Sequence, residues 1–264
     1  MSNVFRSVAM VVLAGLCAAC AHRPPQDDSG RFVERELQFE GATHRFQVFV
    51  PSARAGGRHP PVILFLHGTG ERGNDNQRQV AVGLGPHLRR HLVDFPAIVV
   101  FPQSPEGESW DGANARMALA ALDASVHEFD GDERRIVLTG ISRGGYGVYE
   151  LALMEPLRFA ALVPVCGGIT QSPGVPERLQ VEGVAQAPDP FAAAAQRLQH
   201  LPMWLFHGAN DTAVTPDQSR HMAEALRRIG ANVRYSELAG VGHDAWDRAY
   251  ATPELWQWAF AQRR

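Results

Sequence analysis

The sequence predicts an α/β fold, with a mostly parallel central sheet of about eight strands, helices on both faces and no large lid domain. Short apolar runs alternate with helical patterns after residue 30, and this alternation is typical of parallel sheets covered by helices. A chain of 264 residues, 45% of them hydrophobic, is also long enough for one large domain. It can bury its core without support from disulfides or metals.

The predicted strands are of two kinds. Phe32–Phe39 and His44–Val50 alternate apolar and polar residues, which indicates an antiparallel pair with a turn near Gly41. Short apolar runs suit buried parallel strands. These runs are Pro61–Leu66, Ala97–Phe101, Arg135–Thr139, Ala160–Val165 and Pro202–Phe206. A last alternating run, Asn232–Leu238, suits an edge strand.

Helical spacing of apolar residues lies between these runs. It occurs in Asn114–Glu128, Tyr146–Met154, Asp217–Ile229 and Pro253–Ala261. The segment Gln171–Gln186 follows a predicted strand and is rich in proline and glycine. We predict that it is an excursion near the mouth of a site rather than a domain boundary.

Candidate chemistry centres on Ser142. Thr139-Gly140-Ile141-Ser142-Arg143-Gly144-Gly145 contains the pattern G-x-S-x-G between a predicted strand and a predicted helix. Small residues flank the serine because the two backbones come close, and a strained serine backbone projects its hydroxyl out of the sheet. A glycine-rich turn without chemistry can carry the same string, so the prediction depends on the strand-to-helix context.

A serine nucleophile needs a base, and the base needs an acid that orients it. The chain order expected around such a turn is serine, acid, histidine. Asp211 lies in the loop after Pro202–Phe206, where it either contacts an imidazole or caps a turn. His243 lies among glycines, past the last predicted strand. We predict Ser142, Asp211 and His243 as the catalytic residues, with Asp244 the next candidate for the acid.

Acyl transfer also requires hydrogen-bond donors for the developing oxyanion. His67-Gly68-Thr69-Gly70 follows the first central strand and has the H-G-x-G arrangement expected of a donor loop. We assign the two donors to the backbone N–H groups of Thr69 and Arg143. His67 and Gly68 are candidate substrate-binding residues, and Trp110 either lines the substrate pocket or packs inside the fold.

Other classes of function find little support. There is no H-E-x-x-H motif, and the sequence predicts neither a metal site nor a cofactor. The net charge is −3 without blocks of like charge, which argues against a nucleic-acid partner. Cys166 ends an apolar run and is predicted to be a buried thiol, without a disulfide once Cys17 and Cys20 are processed. No pattern in the sequence indicates an oligomeric state.

The chain resembles the α/β-hydrolase superfamily. Within it, the chain is similar to secreted bacterial esterases and predicted peptidases, related to polyhydroxybutyrate depolymerase-like and feruloyl esterase-like enzymes, and more distantly to dienelactone hydrolases and prolyl oligopeptidases. The stretches that carry the likeness are Leu66–Gly73, Phe101–Gly107, Thr139–Tyr146 with Arg158–Ala161, and Cys166–Gly168. The resemblance implies ester hydrolysis through an acyl-enzyme, without a cofactor, by Ser142, Asp211 and His243.

One residue departs from the resemblance. Arg143 stands where many relatives have methionine. Its backbone donor is unaffected, but its side chain places a charge beside the site. This suggests a preference for an acidic or carboxylate-bearing substrate.

The expected function is that of a serine carboxylesterase acting on a small or aryl ester, with a small-molecule ester as the partner. A prolyl-oligopeptidase-like peptidase is the alternative within the enzymes, and the lack of a propeller or lid domain favours the esterase. A catalytically inactive binding protein with the same fold is the alternative of another class. The complete set of catalytic residue types argues against it.

The N-terminus predicts export. Residues 1–20 have the layout of a signal peptide, residues 21–30 form a polar linker, and residues 31–264 form the catalytic domain. The apolar run ends in Leu16-Cys17-Ala18-Ala19-Cys20 and resembles a bacterial lipoprotein signal. Lipidation of Cys20 would give a cell-envelope lipoprotein that meets the membrane only through its anchor. Ordinary cleavage after Ala21 would give a periplasmic or secreted protein.

Overall fold

A computed structural model describes residues 28–264, so the predicted signal peptide, Cys20 and most of the predicted linker lie outside the described residues. The central feature is an eight-stranded sheet. Its strands are β1 (Arg31–Phe39), β2 (Ala42–Val50), β3 (Val62–Leu66), β4 (Ile98–Pro102), β5 (Ile136–Ile141), β6 (Ala161–Val165), β7 (Met203–Gly208) and β8 (Val233–Leu238). Every predicted strand is therefore confirmed within a few residues.

The sheet is mostly parallel. Its strand order is β1-β2-β4-β3-β5-β6-β7-β8, with antiparallel pairing only in β1–β2 and β2–β4. The β1–β2 turn passes through Glu40 and Gly41, both with positive φ, where the alternating pattern predicted it. Strand β8 is the far edge, as predicted, and only one of its sides is paired.

Helices cover both faces of the sheet. They are α1 (Ala53–Gly56), α2 (Leu84–Arg90), α3 (Gly112–Glu128), α4 (Arg143–Met154), α5 (Pro190–Leu198), α6 (Asp217–Arg228), α7 (Trp246–Tyr250) and α8 (Pro253–Ala261). Short 3₁₀ turns occur at Thr69–Glu71, Arg78–Val80 and Glu182–Val184. Helices α3, α4, α6 and α8 match the predicted ones, whereas α1, α2, α5 and α7 were not predicted. None of the described helices combines the length and apolar character needed to cross a membrane.

The core has two layers, one on each face of the sheet. On β3, Val62, Leu64 and Leu66 join the layer under α3 to α6, while Ile63 and Phe65 join the layer under α2, α7 and α8. Central strands buried on both faces have apolar residues at every position. This explains why they read as unbroken apolar runs in the sequence.

Two residues outside the site test the sequence interpretation. Cys166 has no exposed surface, as predicted, and forms no disulfide within residues 28–264. His87 lies in a polar stretch of the sequence, which predicts a surface residue. That prediction is wrong: His87 is 7% exposed because α2 places its ring against Phe95 and Trp256, with centroids 5.8 and 5.9 Å away. Helix α2 is short and contains Pro86, so the spacing of its apolar residues did not predict a helix with a buried face.

Candidate active site

Ser142 occupies the tight turn between β5 and α4. Its backbone has φ 52° and ψ −119°, a positive-φ conformation that residues other than glycine rarely adopt. The flanking positions require glycine because neighbouring backbone atoms leave no room for a Cβ atom. A Cβ on Gly144 would lie 2.0 Å from the carbonyl oxygen of Leu66, and one on Gly140 would lie 2.3 Å from the carbonyl oxygen of Gly144. The strained turn and its small neighbours are therefore present as predicted.

Two further predicted residues meet Ser142 at this edge of the sheet. His243 follows β8, and its Nε2 lies 2.8 Å from Ser142 Oγ. Asp211 follows β7, and its Oδ2 lies 2.6 Å from His243 Nδ1. With Nδ1–H donating to the carboxylate, Nε2 is free to accept the serine proton. The structure thus brings together the three side chains that the sequence singled out.

The carboxylate of Asp211 is held firmly. Its Oδ1 accepts hydrogen bonds from the N–H groups of Ala213 and Val214, at 2.9 and 3.0 Å. Burial alone would raise its pKa, but hydrogen bonds from His207 and His243 outweigh burial and lower the pKa to about 2. Asp211 is therefore ionised at neutral pH. Asp244, the other candidate acid, is exposed, and it is Asp211 that contacts His243.

His207 supports this loop rather than taking part in the chemistry. It is fully buried, with Nδ1 2.7 Å from the hydroxyl of Ser219 and Nε2 2.8 Å from the carbonyl oxygen of Val214. Its Nε2 also lies 3.3 Å from Asp211. His207 lies near the end of β7, and from such a position the sequence predicts a residue that supports a loop, which these contacts bear out.

The two predicted oxyanion donors lie beside Ser142. Thr69 starts the 3₁₀ turn after β3, and Arg143 is the first residue of α4, where the positive end of the helix dipole lies. Neither backbone N–H donates to another group within residues 28–264, and both residues line the same cavity as Ser142. The Gly68 N–H is instead taken by Glu71 Oε2 at 3.0 Å. The free N–H groups suit an oxyanion.

Two of the three predicted substrate-binding residues are not at the cavity. His67 is fully buried, and burial lowers its pKa to about 4. Its Nδ1 contacts the carbonyl oxygen of Gly68, and its Nε2 accepts from the N–H of Ser104. Trp110 is 1% exposed and donates its indole N–H to the carbonyl oxygen of His67 at 2.9 Å. Both residues hold the donor loop in place. Gly68 alone lines the cavity.

The cavity has a volume of about 280 Å³ and one largely apolar wall. That wall is formed by Ile141, Val175, Pro176, Leu179, Ala213 and Trp246. The ring of Trp246 packs edge-on against His243 with centroids 5.7 Å apart. Several wall residues belong to Gln171–Gln186, which confirms that this segment lies at the site. The sequence did not identify these wall residues, because no local pattern separates them from ordinary loop residues.

The charge of Arg143 is already paired. Its side chain is 4% exposed, with Nε donating to Thr69 Oγ1 at 3.0 Å and one terminal nitrogen donating to Glu177 at 2.5 Å. Burial and the nearby Arg72 lower the pKa of Arg143. The guanidinium is not free to bind a substrate carboxylate. The structure therefore gives no support to the acidic-substrate hypothesis.

One group of ligand-type atoms adjoins the site. Atoms of Cys166, His207 and Asp211 lie within 4.8 Å of one another. However, both nitrogens of His207 and both oxygens of Asp211 are engaged in hydrogen bonds. Burial raises the pKa of the Cys166 thiol to about 12, so its thiolate form is disfavoured. Within this group, His207 supports the carboxylate of Asp211, which lies 3.3 Å from its Nε2.

Glycine spacing at the donor loop matches a second motif. Gly68, Gly70 and Gly73 have the G-x-G-x-x-G spacing of a dinucleotide-binding turn. That motif requires an α-helix whose N-terminus faces the pyrophosphate. Here the glycines lead into the 3₁₀ turn Thr69–Glu71. The geometry fits oxyanion donation and does not fit dinucleotide binding.

Comparison with known sequences identifies esterases. No protein-family profile matches the chain. Acetylxylan esterase A of Emericella nidulans is 24% identical over 200 residues, which are 65% of this chain and 62% of that protein. Feruloyl esterase B of Thermothelomyces thermophilus is 22% identical over 214 residues, 71% of this chain and 72% of that protein. The chain thus spans less than two thirds of the first of these relatives.

Comparison with solved structures identifies the fold. A thermostable esterase aligns with a TM-score of 0.71 and 28% identity, over 88% of this chain and 63% of that one. An acylaminoacyl peptidase of Pyrococcus horikoshii aligns with a TM-score of 0.62 and 17% identity, over 87% of this chain and 40% of that one. Together with the sheet order and the position of the serine turn, these similarities show that the chain has the α/β-hydrolase fold, which it shares with esterases and peptidases.

Proposed function

We propose that the protein is a serine carboxylesterase that hydrolyses a small or aryl carboxylic ester through an acyl-enzyme on Ser142. The observation that carries this proposal is the continuous hydrogen-bonded series Ser142 Oγ, His243 and Asp211. The series opens into a cavity beside two free backbone donors. This is the arrangement that acyl transfer requires.

The first half of the reaction forms the acyl-enzyme. His243 Nε2 takes the proton of the Ser142 hydroxyl as its oxygen attacks the ester carbonyl carbon. The N–H groups of Thr69 and Arg143 stabilise the negative oxygen of the tetrahedral intermediate. Asp211 stabilises the imidazolium, and His243 then gives the proton to the departing alkoxide.

The second half releases the acid. A water molecule gives a proton to His243 and attacks the acyl carbon, and a second tetrahedral intermediate forms at the same donors. Its collapse returns the proton to Ser142 Oγ and frees the carboxylic acid. Activity is expected to fall in acid, because a protonated imidazole cannot act as a base.

The cavity supports a small or aryl substrate. Its volume of about 280 Å³ suits a compact acyl or aryl group, and Trp246 offers an aromatic edge beside the base. Relatives named as an acetylxylan esterase and a feruloyl esterase support the same size range. The natural ester is set by the loops that border the cavity.

Peptidase activity is the second candidate, and the similarity to acylaminoacyl peptidases is the observation that favours it. This chain covers only 40% of that peptidase, and the described residues include no second domain that restricts access to the cavity. We therefore place ester hydrolysis first. A p-nitrophenyl ester and the matching p-nitroanilide separate the two: faster turnover of the anilide would favour the peptidase.

Labelling with a fluorophosphonate probe tests the enzyme assignment. Folded protein is expected to be labelled, and Ser142→Ala is expected to lose both labelling and p-nitrophenyl acetate turnover. Ser104→Ala is a matched control, because Ser104 is a buried serine whose Oγ has no hydrogen-bond partner among the described residues. A folded wild-type protein that is not labelled and hydrolyses p-nitrophenyl acetate no faster than Ser142→Ala would favour the inactive binding protein.

We also propose that the protein is exported and lipidated on Cys20, which would tether it to the cell envelope. The support is the sequence alone: an apolar segment of signal-peptide length that ends in small residues and a cysteine. Globomycin is expected to make the precursor accumulate. Normal processing with release of the protein would refute lipidation and favour periplasmic or secreted export.

A further inference from the structure

The carboxylate of Glu177 joins two arginines at the edge of the candidate active site. Arg72 donates to both of its oxygens, at 3.1 and 3.2 Å, and Arg143 donates to Oε2 at 2.5 Å. The arginine side chains are only 5% and 4% exposed, whereas Glu177 is 50% exposed. The glutamate therefore reaches inward from the surface to meet two cations that are fixed in the protein.

The three residues come from three separate parts of the site. Arg72 follows the 3₁₀ turn of the donor loop, Arg143 begins α4 next to Ser142, and Glu177 lies in Gln171–Gln186. Glu177 and its neighbours Val175 and Pro176 line the cavity. The bridge therefore fixes the position of the cavity wall relative to the serine and to the oxyanion donors.

Two guanidinium groups around one carboxylate have the chemistry of a carboxylate-binding site, because planar forks of N–H donors match carboxylate oxygens. Arg72 has a second acidic neighbour, Glu106, but this lies 3.5 Å away and is 72% exposed. Glu177 is the carboxylate that the two arginines share. Glu177 thus occupies the place between Arg72 and Arg143 that a carboxylate of a bound molecule could otherwise take.

We propose that Arg72 and Arg143 form a carboxylate site which Glu177 keeps filled, and that this filling makes the enzyme discriminate against esters that carry a free carboxylate. The inference rests on the proposed esterase function. A substrate carboxylate would have to displace Glu177 or remain unpaired beside it. Glu71 lines the same cavity and is not paired with an arginine in the described part of the chain. Like charges placed together oppose binding.

The test compares substrates that have the same shape and different charge. On the alcohol side, 4-acetoxybenzoate is paired with neutral 4-acetoxybenzamide. On the acyl side, the mono-4-nitrophenyl ester of adipic acid is paired with that of adipic monoamide. The measured quantity is the ratio of kcat/KM for the neutral ester to kcat/KM for the anionic ester. We expect the wild-type ratio to be about tenfold or more for at least one pair.

Glu177→Gln keeps the shape of the side chain and removes its charge. It is expected to lower that ratio by about tenfold, because both arginines can then accept the substrate carboxylate. Glu182→Gln is the matched control, since Glu182 is on the same segment and pairs with Arg178, which is 70% exposed. The control ratio is expected to stay within about twofold of the wild-type ratio, because an exposed pair contributes little.

The outcomes are distinct from those that test the proposed function. A folded, fluorophosphonate-labelled Glu177→Gln variant with a wild-type ratio for both pairs would overturn the inference while leaving the esterase assignment intact. A wild-type enzyme that hydrolyses the acid and the amide of each pair equally well would also overturn the inference and leave the esterase assignment intact. Glu177→Ser removes the same charge and replaces Glu177→Gln if that variant does not fold. A wild-type enzyme that is unlabelled and hydrolyses none of the esters refutes the esterase itself.

Discussion

Replacement of Asp211 by asparagine tests the catalytic geometry most directly. Asparagine can keep Oδ1 as the acceptor for Ala213 and Val214. It must then turn its NH₂ group towards His243 Nδ1, which is 2.6 Å from Oδ2 in the native chain. Two donors cannot share that contact. The imidazole therefore changes tautomer, and Nε2 carries a hydrogen where it should accept the proton of Ser142.

The size of the effect follows from the loss of the base. In serine hydrolases with this geometry the same exchange lowers kcat by about 10⁴, which corresponds to about 5.5 kcal/mol of transition-state stabilisation at 1.36 kcal/mol for each factor of ten. The fold is expected to survive, because the two hydrogen bonds that Oδ1 accepts from Ala213 and Val214 are local to the loop of Asp211 and can be kept. We expect kcat to fall by about 10³ to 10⁴ with little change in the circular dichroism spectrum.

The assay is steady-state hydrolysis of p-nitrophenyl acetate, with thermal unfolding as a check of the fold. Asp244→Asn is the matched control, because it alters an exposed carboxylate next to His243 in sequence. That variant is expected to retain activity within about threefold. A folded Asp211→Asn variant that keeps more than about a tenth of wild-type kcat would contradict the assignment. Loss of activity in Asp244→Asn instead would move the acid to Asp244.

The remaining predictions concern stability. Because the pKa of Asp211 is lowered from 3.8 to about 2, its ionised form stabilises the fold by about 2.5 kcal/mol above pH 4, and this contribution is lost as the pH falls from 4 to 2. Urea unfolding of the wild type and of Asp211→Asn should therefore converge over that range, and a difference independent of pH would show that the pKa is not lowered. Trp110→Phe is expected to lower the free energy of unfolding by about 1 to 3 kcal/mol, because the carbonyl oxygen of His67 loses its buried donor. Since Trp110 does not line the cavity, the preference of Trp110→Phe among neutral esters is expected to match that of the wild type. An altered preference would show that Trp110 takes part in substrate binding.

The parts of the fold that the sequence predicted are those governed by local pattern. Buried parallel strands are apolar at each position, so β3 to β7 are visible as short runs. The turn at Ser142 is visible because close backbone approach requires glycine on both sides. Asp211 and His243 then follow from chain order. The contact of His243 with Ser142 and that of Asp211 with His243 required the structure.

The parts that the sequence missed depend on long-range packing. Trp110 and His67 are chemically suited to a binding site. Only the fold shows that the ring of His67 bonds to Gly68 and Ser104, and that Trp110 donates to the backbone carbonyl oxygen of His67. Glu177 and Arg72 are separated by 105 residues, and no spacing rule connects them. Helix α5 is different, because Asp189 caps it and Pro190 begins it, a signal that was present in the sequence.

The hydrogen bond between His243 and Ser142 joins residues 101 positions apart in the chain. Between them lie three strands of the sheet, β6, β7 and β8, each added in sequence order beside the last. A chain still emerging from the ribosome therefore carries the serine long before it carries the base. The proposed catalytic series therefore forms only when β8, the last strand of the sheet, has docked, and a partly made chain would hold the serine with no base beside it.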